Sequence, residues 1–205
     1  MARKIFFSFH YERDAWRAGQ VRNSNVVASE DEYGFIDAVE WESIRKNGDA
    51  AVERWIDDQL KNTSVTAVLI GAETASREWV ETEIVKSWNR GNGLVGVRIH
   101  DIKDQDQKTD TAGRNPFDGF TLGDGTVLSS VCKTYDWVAG EGRKNLGTWA
   151  DEAAEVRANY GTGDKIGGVG EDKQTSKAQR VSSASVSTGF APRSPWCPDD
   201  AERGR

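Results

Sequence analysis

Apolar residues in the N-terminal half of the chain are grouped in short runs that favour β-strands. Residues 4–9 form a continuous run without polar alternation, residues 64–70 form the clearest strand pattern, and residues 94–99 form another. Continuous apolar runs are typical of strands that are covered on both faces of a sheet. Residues 34–38 are a shorter candidate strand, and residues 39–47 are predicted to be a loop.

Segments with helical spacing separate these runs. Residues 12–25 predict a weak helix, apolar positions recur on one helical face from residue 49, and residues 76–89 predict a second strong helix. Strands that alternate with helices need crossover connections, and such connections produce a parallel sheet. We therefore predict an α/β fold with a flavodoxin-like, doubly wound parallel sheet.

The pattern weakens in the C-terminal half of the chain. Residues 101–124 are polar and predict a long insertion, and the apolar residues between 135 and 149 predict a short closing helix. From about residue 156 the chain consists mainly of small and polar residues, which cannot bury enough apolar surface to offset their ordering entropy. We predict one domain at residues 1–155 and a disordered, low-complexity tail at residues 156–205.

Composition narrows the class of protein. The hydrophobic fraction of 37% is low for a fully packed chain, which agrees with a domain followed by a tail. A net charge of −6 does not favour nucleic acid as a partner. The chain has neither the run of about 20 apolar residues that spans a bilayer nor a secretory signal. Because Cys132 and Cys197 make no disulfide framework, we predict a cytoplasmic protein without membrane contact.

Several patterns that resemble known sites fail on spacing. The glycine-rich residues 161–170 lack the Gly-Lys-Ser/Thr of a phosphate loop and are interpreted as a flexible linker. The acidic residues 101–106 do not match a calcium loop, and the histidines and cysteines share no zinc-ligand spacing. A phosphoacceptor receiver domain would need acidic residues where Ser8, Phe9 and His10 stand. We predict no metal and no cofactor.

Glu83 is the most informative polar residue of the second strong helix. Three apolar residues recur there at intervals of four and must face the sheet: Val80, Ile84 and Trp88. Trp79 and Glu83 form a second pair on the flank of that line, so we predict a partly desolvated carboxylate at a cleft edge with an indole one turn before it. The alternative is a solvated Glu83 paired with Lys86, as Glu78 and Glu81 are predicted to be surface charges.

The ordered combination of five segments resembles the TIR-like, ThsB-like family of bacterial Thoeris antiphage systems. The resemblance covers about residues 1–150 and rests on residues 4–11, 21–23, 62–71, 79–84 and 135–138. TIR enzymes carry Trp-x-x-x-Glu on the helix after the third strand, and that glutamate is their catalytic carboxylate. The resemblance therefore implies that Glu83 is catalytic and that Trp79 lies in the substrate site.

The resemblance also implies the reaction. The substrate is NAD, whose nicotinamide–ribose bond is broken, and a fixed carboxylate stabilises the positive charge that develops on the sugar. Attack by water gives ADP-ribose, whereas attack by an atom of the same molecule gives a cyclic isomer. The resemblance favours the cyclic product as a diffusible signal to a separate effector protein. The trigger would be phage-derived or self-association.

Further substrate contacts are expected at the carboxyl ends of the strands, where ligands bind in doubly wound sheets. Ser8, Phe9 and His10 lie at the end of the first strand, and Asp37 and Trp41 lie at or just after the end of the second. The aromatic rings suit adenine or nicotinamide, the imidazole suits phosphate, and the aspartate suits ribose hydroxyls. Each also has a structural explanation, as core filler, a structural histidine or a turn cap.

Two other functions stay open on the sequence. One is a non-catalytic TIR-like module that signals by assembly, and the other is a nucleoside deoxyribosyltransferase-like enzyme that uses a glutamate on nucleosides. An adaptor needs no carboxylate next to Trp79, which favours an enzyme. A substrate panel of NAD and nucleosides separates the two enzymes.

Overall fold

The computed structural model describes residues 3–24, 43–44, 46–161 and 163–169. The candidate strand at residues 34–38, the site candidates Asp37 and Trp41, and the chain from residue 170 onward lie outside the described residues.

The described elements alternate between strands and helices over most of the chain. In chain order they are β1 (Ile5–Ser8), α1 (Tyr11–Arg22), α2 (Asp49–Leu60), β2 (Val65–Ile70), α3 (Glu78–Arg90), β3 (Gly93–Arg98), β4 (Phe120–Leu122), α4 (Leu128–Val131), β5 (Thr134–Asp136), α5 (Gly142–Ala158) and β6 (Ile166–Val169). Two short 3-10 turns lie at Thr74–Ser76 and Pro116–Gly119.

The main sheet is parallel and has the order β1-β2-β3-β5. Successive residues of β2 enter two different hydrophobic clusters, so the sheet is covered on both faces. Ala67 and Leu69 belong to the cluster that contains the buried residues of α1, α2 and α5, whereas Val68 and Ile70 belong to the cluster that contains those of α3. This double coverage explains the continuous apolar runs. It confirms the predicted α/β fold with a parallel sheet.

The segment that was predicted to be a polar insertion contains one strand of a second small sheet. Phe117, Phe120 and Leu122 are buried against α3, and β4 pairs with β6 in antiparallel orientation. The prediction was wrong here because three apolar side chains scattered among polar residues produce no helical or strand period. Their burial depends on partners far away in the chain.

The domain also extends further than predicted. Helix α5 is longer than the predicted closing segment and ends at Ala158, and β6 lies within the glycine-rich segment that was interpreted as a linker. Trp88 Nε1 donates a hydrogen bond to the carbonyl of Asp164 at 2.7 Å, and the Ile166 amide donates to Asn89 Oδ1 at 2.9 Å. The predicted boundary at residue 155 is therefore corrected to at least residue 169.

One local difference remains between the prediction and the structure. Ser43, Ile44 and Lys46 are helical, although residues 39–47 were predicted to be a loop. Helix α3 ends at a left-handed Gly91 with φ of 108°, a conformation that glycine adopts without a steric penalty.

Within the described ranges, no helix combines the length and the apolar character that crossing a bilayer requires.

Candidate active site

Helix α3 turns the Glu83 side chain into the protein. Val80, Ile84 and Trp88 are buried as the spacing predicted, and Glu83 is only 1% exposed. Burial is thus more complete than the predicted cleft edge. The alternative ion pair is absent, because Lys86 Nζ lies 2.9 Å from Asp57 Oδ1 instead.

Ser8 is the hydrogen-bond partner of Glu83. Ser8 is the last residue of β1 and is fully buried, and its Oγ donates to Glu83 Oε2 at 2.5 Å. The other carboxylate oxygen, Oε1, is buried and has no hydrogen-bond partner among the described residues. This buried hydrogen bond therefore joins the end of strand β1 to helix α3.

Burial dominates the ionisation of this carboxyl group. It raises the pKa of Glu83 to about 8, while the hydrogen bond from Ser8 acts in the opposite direction. A raised pKa follows because the charged form loses hydration in a region of low polarity. Near pH 7 the group is mainly protonated in this conformation.

The described aromatic candidates, Phe9 and Trp79, belong to or pack against the same hydrophobic cluster. Phe9 is 2% exposed, and its ring centroid lies 4.1 Å from that of Tyr11. Trp79 is partly buried and packs against the same hydrophobic cluster that contains Phe9. The ring face of Phe9 is covered in this conformation, so its predicted contact with a substrate ring would require the site to open.

His10 precedes α1 and is largely buried. Burial, followed by the positive charge of Arg77, lowers the pKa of His10, while Glu73 and Glu12 oppose this change. The Nδ1 atom is buried and has no hydrogen-bond partner among the described residues. A neutral imidazole can still donate a hydrogen bond to phosphate, but it offers no charge at neutral pH.

Two arginines that the sequence reasoning missed tie α1 to the loops at the carboxyl ends of β2 and β3. Arg13 binds Glu73 at 2.9 Å and Asp110 at 3.0 Å. Arg17 is buried and donates to the carbonyl of Ile102 at 2.9 Å. On the sequence these residues look like ordinary charges of a polar helix, because nothing local indicates their distant partners.

Asp14 lies beside these arginines and is fully buried. Neither of its carboxylate oxygens has a hydrogen-bond partner among the described residues, and Arg17 Nη1 is 3.9 Å from Oδ1. Burial raises the pKa of Asp14 to about 6, and the positive charge of Arg17 acts in the opposite direction. Unpartnered buried carboxylates are uncommon and mark candidate functional positions.

One described group of residues could hold a cation. Ligand atoms of His100, Asp101 and Asp136 lie within 4.8 Å of one another at the ends of β3 and β5. Asp136 Oδ1 already accepts from the amides of Val138 and Ala139, which fixes the orientation of that carboxylate. The spacing argument against a metal could not detect this group, since β3 and β5 are distant in the chain. The absence of a metal stays a prediction.

The described surface has a depression of about 540 Å³ at the other end of the sheet, beside the start of β1. Its lining includes Lys4, Lys61, Ser64 and Asp151, and Glu83 does not line it. Since Glu83 is almost completely covered, a dinucleotide cannot contact its carboxylate until neighbouring groups move.

Comparisons with known proteins agree with the resemblance noted on the sequence. The family described as "Thoeris protein ThsB, TIR-like domain" matches residues 6–104, which extend from β1 beyond β3. A Bacillus cereus (strain MSX-D12) protein named "Putative cyclic ADP-D-ribose synthase ThsB1" is 34% identical over 192 residues, which cover 74% of this chain and all of the relative. The chain belongs to the Thoeris ThsB family of TIR-like proteins.

Proposed function

We propose that this chain is an antiphage enzyme that cleaves the nicotinamide–ribose bond of NAD, with Glu83 as the catalytic carboxylate. The observation that carries the proposal is a lone carboxyl group, buried at the end of a parallel sheet and held by a single hydroxyl. The name of the Bacillus cereus relative supports NAD as the source of the product.

The charge of the substrate suits a carboxyl group of this kind. NAD carries a positive pyridinium ring, and a cation beside a buried acid lowers its pKa, so substrate binding would ionise Glu83. The bond between the ribose anomeric carbon and the ring nitrogen then breaks, and its electron pair neutralises the nicotinamide. The positive charge passes to the sugar, where the carboxylate stabilises it. The leaving group needs no proton, so no general acid is required.

We further propose a cyclic ADP-ribose isomer as the product. Exclusion of water from the site favours attack on the sugar by an atom of the same molecule over hydrolysis. The relative is named as a synthase of such a compound. The cyclic nucleotide would act as a diffusible signal to a separate effector protein, after a phage-derived trigger or self-association opens the site.

The test is mass spectrometry of nucleotides from infected cells that express the full chain or its Glu83→Gln variant. We expect NAD loss and cyclic product with the wild type and a decrease of about 100-fold or more with Glu83→Gln. The exposed Glu78 on the same helix provides the matched control, and Glu78→Gln should behave as the wild type. Equal NAD loss with Glu83→Gln would reject Glu83 as the catalytic group.

A substrate panel with purified protein tests the deoxyribosyltransferase alternative, and a phage-protection assay in cells tests the assembly alternative. A deoxyribosyltransferase-like enzyme would turn over nucleosides and leave NAD intact. A module that signals only by assembly would retain protection against phage in the Glu83→Gln variant.

A further inference from the structure

We infer that Ser8 is a positioning residue that holds Glu83 Oε2 and thereby presents Oε1 to the reacting sugar carbon. The inference rests on the proposed function. It changes the expected role of Ser8, which was predicted to bind substrate, because the fully buried Oγ is directed at Glu83.

Both partners of this hydrogen bond are held by rigid elements. Ser8 is fully buried and is paired with Val68 in the register between β1 and β2. Helix α3 is fixed by its buried apolar line, including Ile84 next to the catalytic residue. The distance of 2.5 Å lies at the short end of the range for a hydroxyl donating to a carboxylate. Such a contact restricts rotation of the carboxylate plane.

The Glu83 oxygen that lacks a hydrogen-bond partner indicates which side of the carboxylate would face the sugar. Leaving a buried acceptor without a partner is unfavourable, and each such atom in a native protein needs a physical reason. Oε1 is that atom here. A cationic sugar carbon next to Oε1 would supply the missing interaction, whereas Oε2 is already occupied by Ser8.

The same contact favours the ionised carboxylate. The Ser8 hydroxyl donates to Glu83 and opposes the effect of burial on its pKa. Loss of this donor should therefore leave a smaller fraction of Glu83 ionised at a given pH, in addition to freeing its rotation. This second effect can be measured separately from fold stability.

The chain contains a matched control for this contact. Thr66 Oγ1 donates to Ser87 Oγ at 2.8 Å, and this bond is also buried and also joins the sheet to α3. Ser87 follows Glu83 by one helical turn, and Glu83 takes no part in the hydrogen bond between Thr66 and Ser87. Ser87→Ala therefore removes a comparable hydroxyl without changing the environment of the Glu83 carboxylate directly.

The experiment compares the full-length wild type with Ser8→Ala, Ser8→Thr and Ser87→Ala. Glu83 titration is followed by carbon NMR of its side-chain carboxyl, and the signal is assigned by comparison with Glu83→Gln. NAD turnover is measured as a function of pH in extracts of phage-infected cells, which are called triggered extracts. Urea unfolding shows that each variant is folded. Ser8→Thr keeps the donor and serves as the rescue variant.

We expect Ser8→Ala to titrate Glu83 at higher pH than the wild type and to lower kcat about tenfold, with a larger loss below pH 7 than at pH 9. Ser8→Thr should restore the wild-type titration of Glu83. Ser87→Ala should lower the free energy of unfolding and leave the Glu83 titration unchanged. The inference would be overturned if the wild type is active but Ser8→Ala shows the same Glu83 titration and the same pH profile of NAD turnover as the wild type. A wild type that leaves NAD intact in triggered extracts would instead overturn the proposed function.

Discussion

The carboxylate of Asp14 occupies the space that a β-carbon would need at Gly71, and a side chain built there would overlap its oxygens. Asp14 lies in the first turn of α1, and Gly71 directly follows β2. A buried, unpartnered carboxylate is thus packed against the loop that leads towards α3. The N-terminal end of α1 is a favourable place for a negative charge, which offsets part of the desolvation.

Gly71→Ala should destabilise the protein by about 1–3 kcal/mol, because the new methyl group would force Asp14 or the loop to shift. Gly147 in α5 is the control, since it is exposed and has no atom within 4 Å of an added β-carbon. Gly147→Ala should stabilise the helix by about 0.5–1 kcal/mol. Urea unfolding of both variants measures the difference, and equal effects would contradict the packing described for Asp14.

Asp14→Asn should increase stability at pH 7.5. The pKa of Asp14 is about 6 in the folded protein and 3.8 as an ordinary carboxyl group, so the folded state binds the proton more tightly. Its contribution to stability therefore decreases as pH rises from about 4 to 6 and stays unfavourable above that range. We expect a gain of about 1–3 kcal/mol at pH 7.5 that disappears near pH 4.

Unfolding at a series of pH values checks this prediction. A lower stability of Asp14→Asn at pH 7.5 would indicate that a positive group or a bound cation compensates the ionised carboxylate. Asp118→Asn, at an exposed aspartate, is the matched control substitution.

Glu83→Gln should be at least as stable as the wild type above pH 8. Burial raises the pKa of Glu83 to about 8 from 4.5, so its contribution to folding becomes less favourable between these two pH values. The amide has the same shape and carries no charge. We expect a gain on the order of a few kcal/mol above pH 8 and little difference near pH 4.5.

Thermal unfolding of Glu83→Gln and Glu78→Gln over this pH range provides the measurement. If Glu83→Gln loses NAD turnover but gains stability, the loss of activity is not caused by unfolding. Such a combination is common for functional residues, which often reduce stability. Lower stability of Glu83→Gln at every pH would argue that the carboxylate is paired in solution.

Truncation tests the corrected domain boundary. A chain that ends at residue 158 lacks β6 and the Asp164 carbonyl that accepts from Trp88, and it uncovers the β4 edge. We expect it to unfold at lower urea concentration than a chain that ends at residue 170, which keeps these contacts. Tryptophan fluorescence is a suitable readout because Trp88 is fully buried. Identical transitions would show that β6 does not belong to the cooperative unit.

Turnover of NAD should be insensitive to metal chelators. The metal-competent group consists of His100, Asp101 and Asp136, whereas Glu83 does not belong to it. Activity that is lost with EDTA and restored with Zn²⁺ would contradict the prediction. If Asp136→Asn also lost NAD turnover, the metal dependence would be assigned to His100, Asp101 and Asp136.

The sequence by itself determined the class of fold and the principal candidate. The apolar runs at β1 and β2 are continuous because both faces of the sheet are covered, and this property is written in the local residue order. Likewise, the interval of four between Val80, Ile84 and Trp88 determines which face of α3 is buried. The Trp79–Glu83 spacing follows from the same helical geometry.

Only the tertiary structure decided how that candidate is held. Ser8 and Glu83 are 75 positions apart in the chain, and Asp14 meets Gly71 through packing of a helix on a loop. The pairing of β4 with β6 is equally non-local. Local periodicity reports which face of an element is apolar, but the partner across an interface depends on how all elements pack together. The complete burial of Glu83 and the choice between its two oxygens therefore became visible only in three dimensions.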